Sequence, residues 1–326
     1  MLSLTRILFA SDIHGSKLVW VKFLNMIEEY KANVAIMGGD LSAKEILPII
    51  HNVNSNSYYA TLFGRKYDVK SKQELNELQE RAKAFGILPL ITDNNELQRI
   101  SDDKKYQRKI FEDLDAASIL EWIDIAKNRS LDKNLKLIMI TGNDDSRKID
   151  EILRTDDLIL YPDRGLDLDA YHKLISFEYV NPTPWNSPRE LSEKKLKKKL
   201  EKVFNSVDDY DHVVAAIHAP PFKSGLDNAP TLDLEKRPIH VLGAPLYSSV
   251  GSKAVREVIE KYQPKLTLHG HIHESGGFTY IGRTLSINPG SDYDGGILRA
   301  YLIDLRKEKI EGFKFVEDTG IKRLLF

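Results

Sequence analysis

Apolar residues fall in short runs closed by polar or glycine-containing sequence, the pattern of buried strands. Runs of this kind occupy residues 7–9, 34–37, 137–140, 213–217 and 266–268. Between them the apolar positions repeat at helical spacing. Residues 18–30 form one such stretch, with Ser16 placed to cap it, and residues 250–262 form another, closed by Gln263-Pro264. Strand–helix alternation predicts an α/β domain. Beyond Thr267 strand follows strand, over 278–281, 284–287, 298–305 and 310–315, with tight turns at Ile281-Gly282-Arg283 and at 306–309. That change predicts a second, antiparallel sheet.

Two stretches break the alternation. Residues 52–134 open with a hairpin pattern, 58–63 and 66–70 about Gly64-Arg65, and continue into helical patterns over 72–85 and 105–128. Residues 181–209 begin with a proline-rich segment and pass into a lysine-rich helix. Both read as insertions in a single domain spanning 1–326. In the lysine-rich helix, Leu196, Leu200, Val203 and Phe204 form an apolar stripe, so the lysines are read as its solvated face.

Composition narrows the classes. Of 326 residues 42% are apolar and 29% charged, and the formal net charge is −1, which argues against nucleic acid as a partner. No run approaches the roughly 20 apolar residues needed to span a bilayer. The N-terminus does not read as a signal peptide, since Arg6 interrupts the apolar segment and Asp12 and His14 follow it. With no cysteine, disulfides, zinc–thiolate sites and cysteine nucleophiles are excluded. The expectation is a cytoplasmic protein, with a homo-oligomer left open.

The chemistry lies where the strands end. Asp12-Ile13-His14-Gly15, Gly38-Gly39-Asp40, Thr141-Gly142-Asn143-Asp144, His218-Ala-Pro-Pro221 and His269-Gly270-His271-Ile272-His273 each follow one of the five predicted strands. In α/β sheets, carboxyl ends of strands converge on one crevice. Imidazole, carboxylate and amide oxygen together suit Mn, Fe, Zn or Ni better than Ca. Seven groups exceed one tetrahedral ion and suit two divalent ions, Mn foremost, sharing a carboxylate. Two ions roughly 4 Å apart hold a phosphoryl oxygen and bring a bridging water towards a pKa of ~7, so that a metal-bridging hydroxide attacks phosphorus in line.

In this order, Asp-x-His, Gly-Asp, Gly-Asn, His and Gly-His-x-His, the motifs strongly resemble those of the calcineurin-like metallophosphoesterases, across almost the whole chain. The resemblance implies a four-layer α-β-β-α sandwich with two facing mixed sheets and a dinuclear site at the strand ends. It implies that Asp12, His14 and His273 hold one ion and Asn143, His218 and His271 the other, with Asp40 bridging. It further implies a hydrolase of a phosphodiester or small phosphoester. One position departs: the usual Gly-Asn-His reads Gly142-Asn143-Asp144 here. The histidine helps stabilise the transition state and protonates the leaving oxygen. An aspartate beside cations stays ionised and has no proton to give.

Asn143 and Asp144 are therefore the candidate catalytic residues, with capping of a helix near Ser146 the competing reading of Asp144. Arg189 and His240 are candidate substrate-binding groups, Arg189 with Glu190 or Glu193 as alternative partners. His51, His172, His212 and His269 read as structural. Tyr58, Tyr59, Phe63 and Arg65 read as a cleft cap or a dimer contact, and Leu324-Leu325-Phe326 as a segment docking on the core or on a neighbouring subunit. Two other functions fit the motifs less well: a scaffold that keeps the fold without the chemistry, favoured only by Asp144, and a nuclease.

Overall fold

The computed structural model describes residues 4–52, 57–163 and 165–320. The C-terminal Leu324-Leu325-Phe326 lies outside them. All five predicted strands before the motifs form. β1 (Thr5–Ala10), β2 (Val34–Gly38) and β7 (Lys136–Ile140) are parallel neighbours in one six-stranded sheet, so their carboxyl ends share one edge. β8 (Ile159–Leu160) extends it beyond β7, and β19 (Leu298–Arg306) and β20 (Lys309–Asp318) close the other side. The second six-stranded sheet runs β17 (Gly277–Ile281), β18 (Thr284–Asn288), β16 (Leu266–Leu268), β11 (Val213–Ile217), β10 (Lys173–Phe177), β9 (Leu166–Asp167). Here too the strands that lead into the site, β11 and β16, are parallel.

Three apolar clusters bind these sheets. Ile7, Phe9, Ile36, Leu174, Val214, Leu268 and Ile303 belong to one buried group drawn from both sheets. The first sheet also buries Leu8, Met37 and Leu302 with α1 (Lys17–Tyr30), α4 (Lys104–Lys127) and α5 (Arg147–Thr155). The second buries Ile175 and Ala215 with α6 (Glu193–Phe204) and α7 (Lys253–Tyr262). Helix α1 is capped as expected, the Ser16 hydroxyl accepting from Val19 N. In α6 the stripe Leu196, Leu200 and Phe204 is fully buried, so its lysines are the outer face. Helix α7 starts at Lys253 rather than at 250, because Ser252 takes the cap and accepts from Val255 N.

The four C-terminal strands do not make one antiparallel sheet. β17 and β18 pair as a hairpin, but β18 joins β16 in parallel. β19 and β20 pair as a second hairpin that joins the other sheet, antiparallel to β1. Local turns fix each hairpin, whereas the partner of each hairpin is set by long-range pairing that periodicity does not encode.

The stretch after Asp40 begins its own structure earlier than residue 52. β3 (Glu45–Asn52), β4 (Ser57–Leu62), β5 (Arg65–Val69) and β6 (Ile87–Thr92) form a separate four-stranded sheet in the order β5-β4-β3-β6. α2 (Lys72–Ala84) packs on it, and α3 (Asn94–Asp102) leads to α4. Pro48 and Pro89 disguise β3 and β6 in the sequence. They are tolerated because β4 pairs with β3 only from Ile50 onward and β6 is an edge strand. Two two-stranded ribbons complete the chain, β12 (Asn228–Pro230) with β15 (Tyr247–Ser249) and β13 (His240–Val241) with β14 (Ala244–Pro245). Among the described residues no helix is long and apolar enough to cross a membrane.

Candidate metal centre

Each of the seven motif residues leaves its strand within a few residues of the end, and the backbone there is unusual. Asp12, His14, Asp40 and His271 have φ of +57°, +36°, +48° and +67°. Left-handed backbone in a residue with a Cβ costs on the order of 1–3 kcal/mol and persists only where the surroundings impose it. The surroundings here are hydrogen bonds between loops. Asp12 N donates to Gly39 O at 2.9 Å and His14 N to Asp40 O at 3.0 Å. The buried Asp145 carboxylate accepts from Leu41 N, Ser42 N and Gly142 N at 2.9, 2.7 and 2.7 Å, tying the loops after β2 and β7 together. Two glycines make room. A Cβ on Gly142 would stand 2.3 Å from Asp40 Oδ1, and one on Gly270 would stand 2.2 Å from Asp12 Oδ2.

The result is two groups of potential ligand atoms. Asp12, His14 and His273 bring theirs within 4.8 Å of one another, and so do Asp40, His218 and His271. Asp40 also groups with His14 and Asp144. His14 Nε2 lies 3.1 Å from His273 Nε2, and His218 Nε2 lies 3.4 Å from Asp40 Oδ2. The far ring nitrogens are committed: His14 Nδ1 faces Ser42 O at 3.3 Å and His218 Nδ1 faces Gly38 O at 3.2 Å. A carbonyl accepts but does not donate, so each Nδ1 carries hydrogen and each Nε2 is turned to the cluster, the usual outer-sphere arrangement of a metal-binding histidine. Asn143 belongs beside them. Its Nδ2 donates to Asp144 Oδ1 and Ser187 Oγ at 2.8 and 2.9 Å, while its buried Oδ1 has no hydrogen-bond partner among the described residues; His218 Nε2 is held by its ion pairs with Asp40 and Asp12 at 3.4 and 3.7 Å. An unpartnered buried acceptor among clustered His and Asp side chains is what a cation would satisfy.

Electrostatics agree. Burial disfavours ionisation of Asp12 and Asp40, yet His218 and the neighbouring imidazoles outweigh it and hold both carboxyls below their usual range. Burial equally opposes a charge on His218, and Asp40 and Asp12 overcome it, pushing its pKa up to about 10. His271 goes the other way: burial and then the His218 charge bring it down to about 4. Two buried carboxylates thus recruit a proton onto one imidazole and leave another neutral and free to ligate. Burial and the Asp40 charge push Asp144 up to about 6.

Other sequence candidates lie elsewhere. Arg189 is not available to substrate. Its buried guanidinium donates to Asp145 O, Thr141 Oγ1, Ser146 O and Asp150 Oδ1 at 2.9, 2.8, 3.0 and 2.9 Å, so its charge is spent on the loop after β7. His240 sits exposed on the β13–β14 ribbon with Nδ1 facing Pro238 O at 3.0 Å, and the structure gives it no contact with the clusters. Asp144 does not cap α5. Ser146 holds the cap position without a side-chain bond, and the Asp144 carboxylate meets Asn143 and, at 3.5 Å, Lys44 Nζ. His269 is structural, bonded to Ile217 O, Ala219 O and Thr267 Oγ1. Sequence reading missed Lys44 and Tyr293. Lys44 is four residues past the Gly-Gly-Asp turn, which was the available signal. Tyr293, whose ring centroid is 4.8 Å from that of His14, had none.

No protein-family model matches the chain. An uncharacterised protein of Methanocaldococcus jannaschii is 29% identical over 167 residues, 51% of this chain and 68% of its own. A solved crystal structure, 16% identical, aligns over 96% of this chain and 99% of its own with a TM-score of 0.54 and shares the fold. A phosphodiesterase described as archaeal aligns over 96% of this chain and 99% of its own, 12% identical, with a TM-score of only 0.32.

Proposed function

Because the chain carries the motifs of a calcineurin-like metallophosphoesterase in order and in full apart from Asp144, we propose that it is a metal-dependent phosphoesterase acting on a phosphodiester or small phosphoester. The observation that carries this reading is the pair of His/Asp clusters with an unpartnered Asn143 Oδ1 beside them. Two facing sheets with helices packed outside support the four-layer sandwich that the resemblance implies. In this reading Asp12, His14 and His273 would hold one divalent ion, Asn143, His218 and His271 would hold the other, and Asp40 would serve both. Mn is the first choice, with Fe, Zn or Ni as alternatives. Bound ions supply a Lewis acid for the phosphoryl oxygens and an activated water.

The chain's own residues set the rest. Gly142 and Gly270 keep the carboxylates close to the backbone. Lys44, whose pKa burial lowers but Asp144, Asp40 and the other nearby acidic groups together raise above its usual value, is a protonated amine beside the clusters and offsets the Asp144 charge that would repel phosphate. Near cations the Asp144 carboxyl is ionised and gives no proton to a leaving oxygen. Esters whose leaving group needs little protonation are therefore the preferred substrates.

The test is to reconstitute purified protein with Mn, Fe, Zn or Ni, establish metal content, and assay bis(4-nitrophenyl) phosphate, 4-nitrophenyl phosphate and cyclic nucleotides. Turnover with one metal and loss of it in Asp40→Asn are expected. No turnover on any of these esters at full occupancy with all four metals would sink the reading.

A further inference from the structure

A cleft of about 1000 Å³ runs from Asp144 away from the clusters. One wall is the continuous face of α3 and α4 that carries Leu97, Ile100, Lys104, Arg108, Phe111 and Asp115, spaced by three or four residues along each helix. The start of α5 contributes Ser146, Arg147 and Lys148, and the proline-rich loop contributes Asn186 and Pro188. Ile46 and Pro48 of β3 and Leu90 of β6 also line it. Both stretches that interrupt the strand–helix alternation therefore border one space, and that space reaches Asp144, whose carboxylate groups with His14 and Asp40.

Its chemistry is divided. Ile46, Leu90, Leu97, Ile100 and Phe111 give an apolar middle. Five cations line the cleft, Lys44, Lys104, Arg108, Arg147 and Lys148, against three acids, Glu112, Asp115 and Asp144. Three of the cations are engaged: Lys44 with Asp144, Arg147 with Asp150 and Tyr179, and Lys148 with Asp113 at 2.6 Å. Lys104 contacts only the uncharged Gln107, at 3.4 Å, and Arg108 has no partner among the described residues. These two stand one turn apart on α4 and are exposed. Asp115 marks the near end, since it accepts from Ala43 N at 3.0 Å in the loop that follows Asp40. Arg108 is seven residues back along the helix, about 10 Å at 1.5 Å per residue.

We propose, resting on the phosphoesterase reading, that the substrate is an elongated phosphoester with a second anionic group, its reactive phosphate at the clusters, an apolar body against Phe111 and Leu97, and a distal phosphate or carboxylate on Arg108 and Lys104, about 10 and about 16 Å along α4 from Asp115. Each part of the cleft has one task. Unpaired cations on a helix face next to an apolar floor favour a ligand with charge at both ends over one with charge at one end. The apolar body is either a planar ring or an alkyl chain, and the two sources differ in the probe that fits.

Phosphonates resist hydrolysis and report binding alone. Calorimetry on the Mn-loaded protein would compare octylphosphonate with the eight-carbon α,ω-diphosphonate, and benzylphosphonate with p-xylylene diphosphonate. At least one diphosphonate is expected to bind about tenfold or more tightly than its monophosphonate, a gain equal to one charge-assisted contact. The linker giving the larger gain identifies the ring or the chain. In the double variant Lys104→Glu, Arg108→Glu, both exposed positions, that advantage is expected to disappear. Equal binding of mono- and diphosphonates, or an advantage that survives the double variant, overturns the inference. Hydrolysis of bis(4-nitrophenyl) phosphate is followed in parallel. Hydrolysis without a diphosphonate gain removes the distal subsite and leaves the phosphoesterase. A diphosphonate gain without hydrolysis does the reverse.

Discussion

His218 sits between two carboxylates that raise its pKa to about 10, so near neutral pH the metal-free protein carries a proton on the nitrogen that a cation needs. The sign follows directly. Below pH 10 a metal must displace that proton, so apparent affinity rises with pH by about tenfold per unit per proton released. Calorimetry of Mn binding at pH 7.5 in buffers of different ionisation enthalpy is expected to report release of about one proton. Release of none would show that His218 is already neutral or does not ligate. Asp144 carries a second prediction at this scale. If it stands where a proton donor is wanted, Asp144→His is expected to raise turnover of esters with poor leaving groups by about 10²-fold or more, while aryl esters change little. A leaving-group series on both proteins checks this, and parallel slopes would refute it. Residue types and spacing were legible here, because the motifs are short and follow apolar runs. The left-handed backbone of Asp12, His14, Asp40 and His271 was not legible, because nothing in the residue types Asp and His announces it.

At the scale of elements, the sequence favoured local pattern over long-range pairing. Helices α1, α4 and α6 and strands β1, β2, β7, β11 and β16 follow their apolar spacing closely. The four C-terminal strands were recognised one by one and assigned to the wrong sheet arrangement, since a hairpin turn fixes its own two strands and says nothing of their neighbours. β3 and β6 were missed because each contains proline, harmless only given the pairing around it. Arg189 shows the same limit in a single residue. A lone arginine beside a proline-rich loop reads as a phosphate contact, whereas it clamps that loop to the start of α5. Its backbone N also donates to Asn143 O at 3.3 Å. Arg189→Ala takes from the buried Asp150 its buried partner at 2.9 Å, leaving only the exposed Arg147 at 3.7 Å, and is expected to destabilise the protein by about 3–5 kcal/mol. Arg189→Lys is expected to recover little, because one ammonium cannot reproduce four divergent bonds. Urea unfolding of the three proteins checks both statements, and wild-type stability in Arg189→Ala would refute the clamp.

The whole molecule places the two clusters across a seam. Asp12, His14, Asp40 and Asn143 follow strands of the sheet that contains β1, and His218, His271 and His273 follow strands of the other. Each cluster draws on both, Asp12 and His14 with His273, Asp40 with His218 and His271. A cation held there would cross-link the open edges of two sheets that otherwise meet through an apolar interior, where packing is strong but not directional. Removing it leaves the two buried carboxylates compensated by a protonated His218 in place of a cation. Metal is therefore expected to stabilise the folded chain by mass action, about 2.7 kcal/mol at a free concentration one hundred times the dissociation constant. Melting temperature is expected to rise with Mn and fall with EDTA. The cross-link makes a sharper demand than binding alone. His273→Ala removes a candidate ligand from one sheet and Asp12→Ala removes one from the other, and both are expected to shrink the metal-dependent shift. A shift of wild-type size in either variant would mean that the cation, wherever it binds, does not bridge the sheets through Asp12 and His273.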